Sequence, residues 1–303
     1  MDKLLEQKST NVRAGRVMKS RKTKWIFNCI VIVIVAVFLV IPLLDFRKKT
    51  QYDIVFLGDS IIGTENNYSV VDIVGDKLGM TAFNGAFGGS TMSLSGSEVW
   101  GSISNNQWSM IRLAQAMTYE DWQSQKIAMA YAVSYEENNR QAFDYFEQRM
   151  EELVDIDFTK VKVLVIEHGT NDYNAARRLD NPEDLYDIST FGGALRSSLR
   201  LLQEKYPDLQ IVIISPLYCQ FLGQTNQPGY LTDFGQGVLD DYVSLEKAIA
   251  EEFGVPFIDA YHNSGIWEHN AREYLPDGLH LSDKGVLLFG EYVAEEVQKI
   301  LGE

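Results

Sequence analysis

Five short apolar runs separated by stretches of helical periodicity constrain the fold of this chain more than any other feature. They are Asp53 to Gly58, Met80 to Asn84, Val161 to Glu167, Gln210 to Ser215 and Pro256 to Asp259. Short runs without polar alternation read as strands covered on both faces, the pattern of a parallel sheet. Between them the period changes. Leu195, Leu199, Leu202 and Tyr206 recur at helical spacing ahead of the fourth run. Leu287, Leu288, Val293, Val297 and Leu301 mark a last helix, with Ser282 as its N-cap. Strands alternating with helices predict an open doubly wound α/β domain, whose ligands bind beyond the C-terminal ends of the strands.

Two intervals break the alternation. The stretch from about Met92 to Phe158 is too long for an ordinary crossover and is expected to be a helical insertion. Its Trp100, Trp108 and Trp122 either join the core or line a groove for sugar or lipid. Pro216 to Asp240, with Gly223, Pro228, Gly229, Gly235 and Gly237, follows the fourth strand and is a candidate rim of the site. No internal repeat or low-complexity tract is present.

Ahead of the domain, Trp25 to Leu44 carries no charge. As a helix its length is about 30 Å, enough to cross a bilayer once. A cleaved signal peptide is the competing reading, but the exit Pro42-Leu43-Leu44-Asp45 lacks the small residues of a cleavage site. Lys19, Arg21, Lys22 and Lys24 precede the run against Arg47, Lys48 and Lys49 after it, an excess that places the N-terminus in the cytoplasm. The expected organisation is a basic cytoplasmic tail at 1–24, a transmembrane anchor at 25–44, a linker at 45–52 and an extracytoplasmic domain at 53–303. The basic tail could instead bind nucleic acid or a protein partner. Residues 1–49 hold 11 Lys and Arg against 3 Asp and Glu, so the rest, with 16 against 39, carries −23. Such a domain repels phosphate backbones, which argues against a nucleic-acid partner. Cys219 is the one cysteine outside the apolar span, so the domain has no internal disulfide, and a buried structural thiol is expected there.

Four segments at predicted strand ends carry groups suited to acyl transfer. Gly58-Asp59-Ser60 puts a hydroxyl at the end of the first strand, although that triplet also makes a turn or a helix start. Asn84-Gly85-Ala86-Phe87-Gly88-Gly89-Ser90 lets backbone approach a ligand closely and point an amide at a developing oxyanion. Glu167-His168-Gly169-Thr170-Asn171-Asp172 supplies the side-chain amide of Asn171. Near the last helix, Asp277 and His280 stand three residues apart, a base with a carboxylate to orient it. A histidine base must be neutral to accept a proton, so activity is expected to fall in acid.

In these blocks and their order, the chain from about Asp53 to Leu301 resembles the SGNH/GDSL hydrolase family. The resemblance implies a flavodoxin-like three-layer α/β/α domain with a five-stranded parallel sheet. It further implies Ser60 as nucleophile, His280 as base and Asp277 as its orienter, with the Ser60 amide, Gly89 and Asn171 forming the oxyanion hole. Ile61 stands where the family name has leucine, and the long interval between Gly89 and Asn171 departs from the pattern.

An α/β-hydrolase would need G-x-S-x-G, and Ile62 occupies the second glycine position. His168, Asp172, His262, His269 and His280 are potential metal ligands, but no two of the histidines show a recognised zinc spacing, and no cofactor is expected. The expected activity is hydrolysis of acyl esters, O-acetyl groups of a cell-envelope carbohydrate in particular. The alternatives are an O-acyltransferase, with a membrane-bound O-acyltransferase as donor partner, or an idle carbohydrate-binding module.

Overall fold

The computed structural model describes residues 49–63, 68–95, 105–135, 144–220 and 226–302. The tail and the expected anchor at 25–44 lie outside them, as do Trp100 and Gly223. Among the described residues no helix is long and apolar enough to cross a membrane.

Each of the five apolar runs contains a strand: β1 (Ile54–Gly58), β2 (Ala82–Asn84), β3 (Val163–Glu167), β4 (Gln210–Ile214) and β5 (Phe257–Ile258). All neighbours pair in parallel, in the order β2-β1-β3-β4-β5. That is the flavodoxin-like order, with β1 and β3 adjacent at the point where the winding reverses. Register places Val55 between Phe83 and Leu164, and Val165 beside Val212. β1 and β3 are buried throughout, which explains their unbroken hydrophobicity.

Alternate strand residues serve two separate cores. Val55, Leu57, Leu164, Ile166, Ile211 and Ile213 face one side. There they meet α3 (Met110–Tyr119), α5 (Asp144–Val154), α7 (Phe191–Lys205) and α8 (Leu239–Glu252). Ile54, Phe56, Val163, Val165, Val212 and Ile214 face the other side, under α2 (Val70–Leu78) and α11 (Asp283–Leu301). Helices thus cover both faces of one sheet, completing the expected three layers.

α11 begins at Ser282, whose hydroxyl accepts from the Gly285 amide at 3.2 Å, and ends at Gly302 with φ 75°. Its buried stripe is Val286, Phe289, Gly290, Val293 and Val297. Leu287, expected among the marks of that helix, is exposed because it lies off this stripe.

The expected insertion is helical where described and forms part of the domain's own layer. A 3₁₀ turn (Asn105–Trp108) leads into α3, which packs along α7, and α4 (Gln123–Tyr135) and α5 follow. Trp108 is buried against Phe87 and Phe146, with centroids 6.2 and 6.0 Å away, while Trp122 packs partly buried against the same core. Both aromatics therefore belong to the core. The end of the expected linker is also tied down: Thr50 donates to Asp155 O at 2.7 Å and accepts from the Asp157 amide at 3.0 Å. Cys219 is buried, which pushes its thiol up to about 12, so it stays protonated and inert at neutral pH.

Candidate active site

β1 delivers Ser60 to the end of the sheet. At Gly58 a side chain would meet the Glu167 carbonyl at 2.9 Å, so only glycine lets the two central strands end so close together. The next residue, Asp59, is buried and accepts from the Ile61 amide at 2.9 Å. Its carbonyl accepts from the Gly63 amide at 2.8 Å. These bonds start the short helix α1 (Ser60–Gly63) with Ser60 at its first position.

The serine meets its base from the far end of the chain. His280 Nε2 lies 3.0 Å from Ser60 Oγ, and His280 Nδ1 lies 2.7 Å from Asp277 Oδ2. The other Asp277 oxygen accepts from the amides of Leu279 at 2.9 Å and His280 at 2.7 Å. One carboxylate thus fixes both the backbone and the ring of the histidine. The loop is braced by the Gln220 amide, which donates to Gly278 O at 2.7 Å, so the rim after β4 touches the base loop directly. Partial burial works to raise the Asp277 pKa, but the hydrogen bonds from the His280 side chain and backbone and from Leu279 hold it below the ordinary value. It is therefore ionised at neutral pH and able to stabilise an imidazolium.

The loop after β2 closes onto the end of β1. Phe87 N donates to Gly58 O at 2.9 Å, and the Ser90 hydroxyl donates to the same oxygen at 3.0 Å. Gly89 takes φ 75°, a conformation that glycine adopts without penalty. Asn171 opens out of α6 (Thr170–Asn174), and its Nδ2 donates at 2.9 Å to Asp59 Oδ2 and at 2.9 Å to Ser90 O. Both amide protons have protein acceptors, so a further acceptor at Asn171 would share one of them.

Two residues beyond the expected set organise this end of the sheet. Asp59 links the helix start at Ser60 to Asn171. Asp172, fully buried, accepts from the amides of Met92 at 2.7 Å and Ser93 at 3.0 Å and from the Ser93 hydroxyl at 2.5 Å. It ties the chain leaving the β2 loop to the Asn171 turn. Burial raises it to about 6 against the pull of those bonds. Both residues sit inside the sequence blocks that carry Ser60 and Asn171, where an acid adjoining each of those positions is the signal the sequence offers.

The remaining histidines lie elsewhere. His168 is buried, with Nε2 3.1 Å from Ser90 Oγ, and burial lowers its pKa to about 3, so it stays neutral. His262 lies between Asp259 at 2.8 Å and Asp240 at 3.3 Å, and His269 is exposed.

The arrangement has the parts for nucleophilic attack on a carbonyl: a hydroxyl, and a base with an ionised partner. Comparison with known proteins agrees with this chemistry. The model of the GDSL-like Lipase/Acylhydrolase family matches residues 86–287, a stretch holding Gly89, Asn171, Asp277 and His280. Ser60 precedes that stretch and joins it through the 3.0 Å contact with His280. No curated protein matches the sequence. Among solved structures, a protein from Lactobacillus plantarum is 20% identical, with TM-score 0.55 over 84% of this chain and 98% of its own. A possible lipase from Chitinophaga pinensis is 17% identical, with TM-score 0.52 over 83% and 99%. At such identities the likeness is one of fold.

Proposed function

The chain belongs to the GDSL-like lipase/acylhydrolase family, and from that premise we propose that it is a serine esterase acting through an acyl-enzyme on Ser60. The observation that carries this reading is the continuous path from Asp277 through His280 to Ser60, with contacts of 2.7 and 3.0 Å. Ser60 Oγ attacks the ester carbonyl as its proton passes to His280 Nε2, while Asp277 holds the Nδ1 proton. The amides of Ser60 and Gly89 and the Asn171 side chain face the oxyanion. On collapse, His280 protonates the departing alcohol oxygen. Water then attacks the acyl carbon as its proton passes to His280 Nε2, and His280 returns that proton to Ser60 Oγ as the free acid leaves.

The substrate class follows from location. The uncharged run at 25–44 and the basic residues before it favour a single-pass anchor with the domain outside the cell. An O-acetyl ester of an envelope carbohydrate suits that position. The acyl-enzyme serves a sugar hydroxyl as readily as water, so a membrane-bound O-acyltransferase acting as donor would turn the same site to transfer.

The test uses the full-length chain in detergent. Wild type is expected to release acetate from p-nitrophenyl acetate and to form one adduct with a fluorophosphonate. Ser60→Ala loses the adduct and about 10⁴-fold or more of kcat. Absence of both activity and adduct in wild type refutes the enzyme. Adding an oligosaccharide separates the two acceptors: an acetylated sugar in the mass spectrum supports transfer, and free acetate alone supports hydrolysis.

A further inference from the structure

The long segment between β2 and β3 brings one side chain close to Gly88 and Ser60. α5 packs on the same face of the sheet as Phe87 and Trp108, and its Tyr145 hydroxyl comes up to Gly88 of the β2 loop. A Cβ at Gly88 would lie 3.0 Å from that hydroxyl and 3.7 Å from Ser60 Cβ. The space a side chain at position 88 would fill is therefore bordered by the Tyr145 hydroxyl, Ser60 and, at 3.9 Å, the Phe146 ring.

The phenol is held firmly. The Arg149 guanidinium lies over the Tyr145 ring at 4.5 Å, and Phe146 meets it edge-on at 4.4 Å. Arg149 is itself buried, donating to Ala86 O at 2.5 Å and to Gly63 O at 2.9 Å. Those carbonyls belong to the β2 loop and to the end of the nucleophile's helix. One arginine thus locks α5 to both pieces of backbone that frame Ser60, and Tyr145 has little freedom to swing aside.

The geometry of ester cleavage says which substrate group meets this tyrosine. In the tetrahedral intermediate the leaving oxygen must face His280, which protonates it, and the oxyanion must face the amide donors. The acyl substituent takes the remaining direction. His280 runs into α11, on one face of the sheet, whereas Tyr145 comes from α5 on the opposite face. We propose that Tyr145 is a specificity-determining residue whose side chain, chiefly its ring, closes the acyl side of the site beside Gly88 and Ser60, restricting the acyl group to short chains.

The inference rests on the esterase reading, and its test separates the two. kcat/KM is measured for p-nitrophenyl acetate, butyrate and octanoate with full-length protein, normalised to the sites titrated by fluorophosphonate. The leaving group is constant, so the ratios report the acyl side alone. Wild type is expected to favour acetate over octanoate. Tyr145→Ala raises octanoate relative to acetate by about tenfold or more, within what a few methylenes are worth in a pocket. Tyr145→Phe, which keeps the ring, stays within about threefold of the wild-type ratio. If Tyr145→Ala fails to fold by circular dichroism, Tyr145→Leu takes its place with the same expectation. A wild type that titrates normally but shows no chain preference, or a truncated variant with an unchanged ratio, overturns the role of Tyr145 and leaves the esterase standing. A wild type that forms no adduct removes both.

Discussion

Asp59 shows how much of the site depends on a residue that need not touch substrate. Burial pushes its pKa up to about 7, while the Ile61 amide and the nearby His280 work in the other direction. Its two oxygens meet the Ile61 amide and Asn171 Nδ2, each at 2.9 Å. One carboxyl therefore sets the start of the helix at Ser60, the proposed nucleophile, and the aim of Asn171, the proposed oxyanion donor. Loss of an oxyanion donor costs about 10² to 10³ in kcat. Asp59→Ala is expected to lower kcat for p-nitrophenyl acetate by about 10²-fold with KM changed little, because Asn171 is then held by its bond to Ser90 O alone and loses its aim while the binding surface stays in place. Asp59→Asn, which keeps an acceptor oxygen, should recover part of that loss. A kcat for the alanine variant within about twofold of wild type would show that Asn171 is aimed without it.

At the level of elements, α2 and α11 are packed closely enough for one methyl group to matter. A Cβ at Gly290 would sit 2.9 Å from Ile73 Cβ and Cδ1. Glycine to alanine inside a helix ordinarily stabilises by roughly 0.4–1 kcal/mol through the unfolded chain. Overpacking a tight core costs about 1–3 kcal/mol, so the clash wins. Gly290→Ala is expected to lower the urea midpoint of full-length protein with an unchanged slope, and a raised midpoint would mean that α2 gives way freely. Legibility in the sequence divides along the same lines. The strands were readable, β1 and β3 above all, because burial on both faces leaves a continuous apolar run, and Ser282 was readable because a cap acts three residues away. The Ser60, Asn171 and His280 blocks were readable as motifs even though Ser60 and His280 are 220 positions apart. Arg149 and Tyr145 were not. Helical periodicity shows that α5 is a helix but not what it packs against, and Arg149 acts on backbone carbonyls 63 and 86 positions away that carry no side-chain signature. The stretch from 92 to 158 therefore read as an addition to the domain, although α3 and α5 form part of its covering layer.

At the scale of the whole molecule, the acids that stand out among the described residues lie inside. Asp59, Glu167, Asp172 and Glu246 are all fully buried. Burial is the main cause that raises each of them. Glu167 is raised further by Asp59 and Glu246, and Glu246 by Asp172. Neither carboxyl oxygen of Glu246 has a hydrogen-bond partner among the described residues, so nothing there offsets the cost of ionising it. An acid whose folded pKa is raised binds more protons folded than unfolded, and stability falls as pH climbs from the unfolded value, about 4.3 for Glu, toward the folded one. Acids with lowered pKa, such as Asp53 at about 2 and Asp277, act in the opposite sense. Their contribution is lost only as pH falls below about 4, and above pH 5 it is constant. Between pH 5 and 8 the raised acids therefore govern the slope among the carboxyl groups, each contributing up to about 1.4 kcal/mol per pH unit. Glu246→Gln removes one of them with little change of shape. Urea titrations of full-length protein across that range should show wild-type stability falling with pH and the variant falling less steeply, by up to one proton's worth, so that its relative stability grows toward pH 8. Parallel curves would mean that Glu246 is already ionised at pH 5, and a buried carboxylate without a partner could bear that charge only if water reached it.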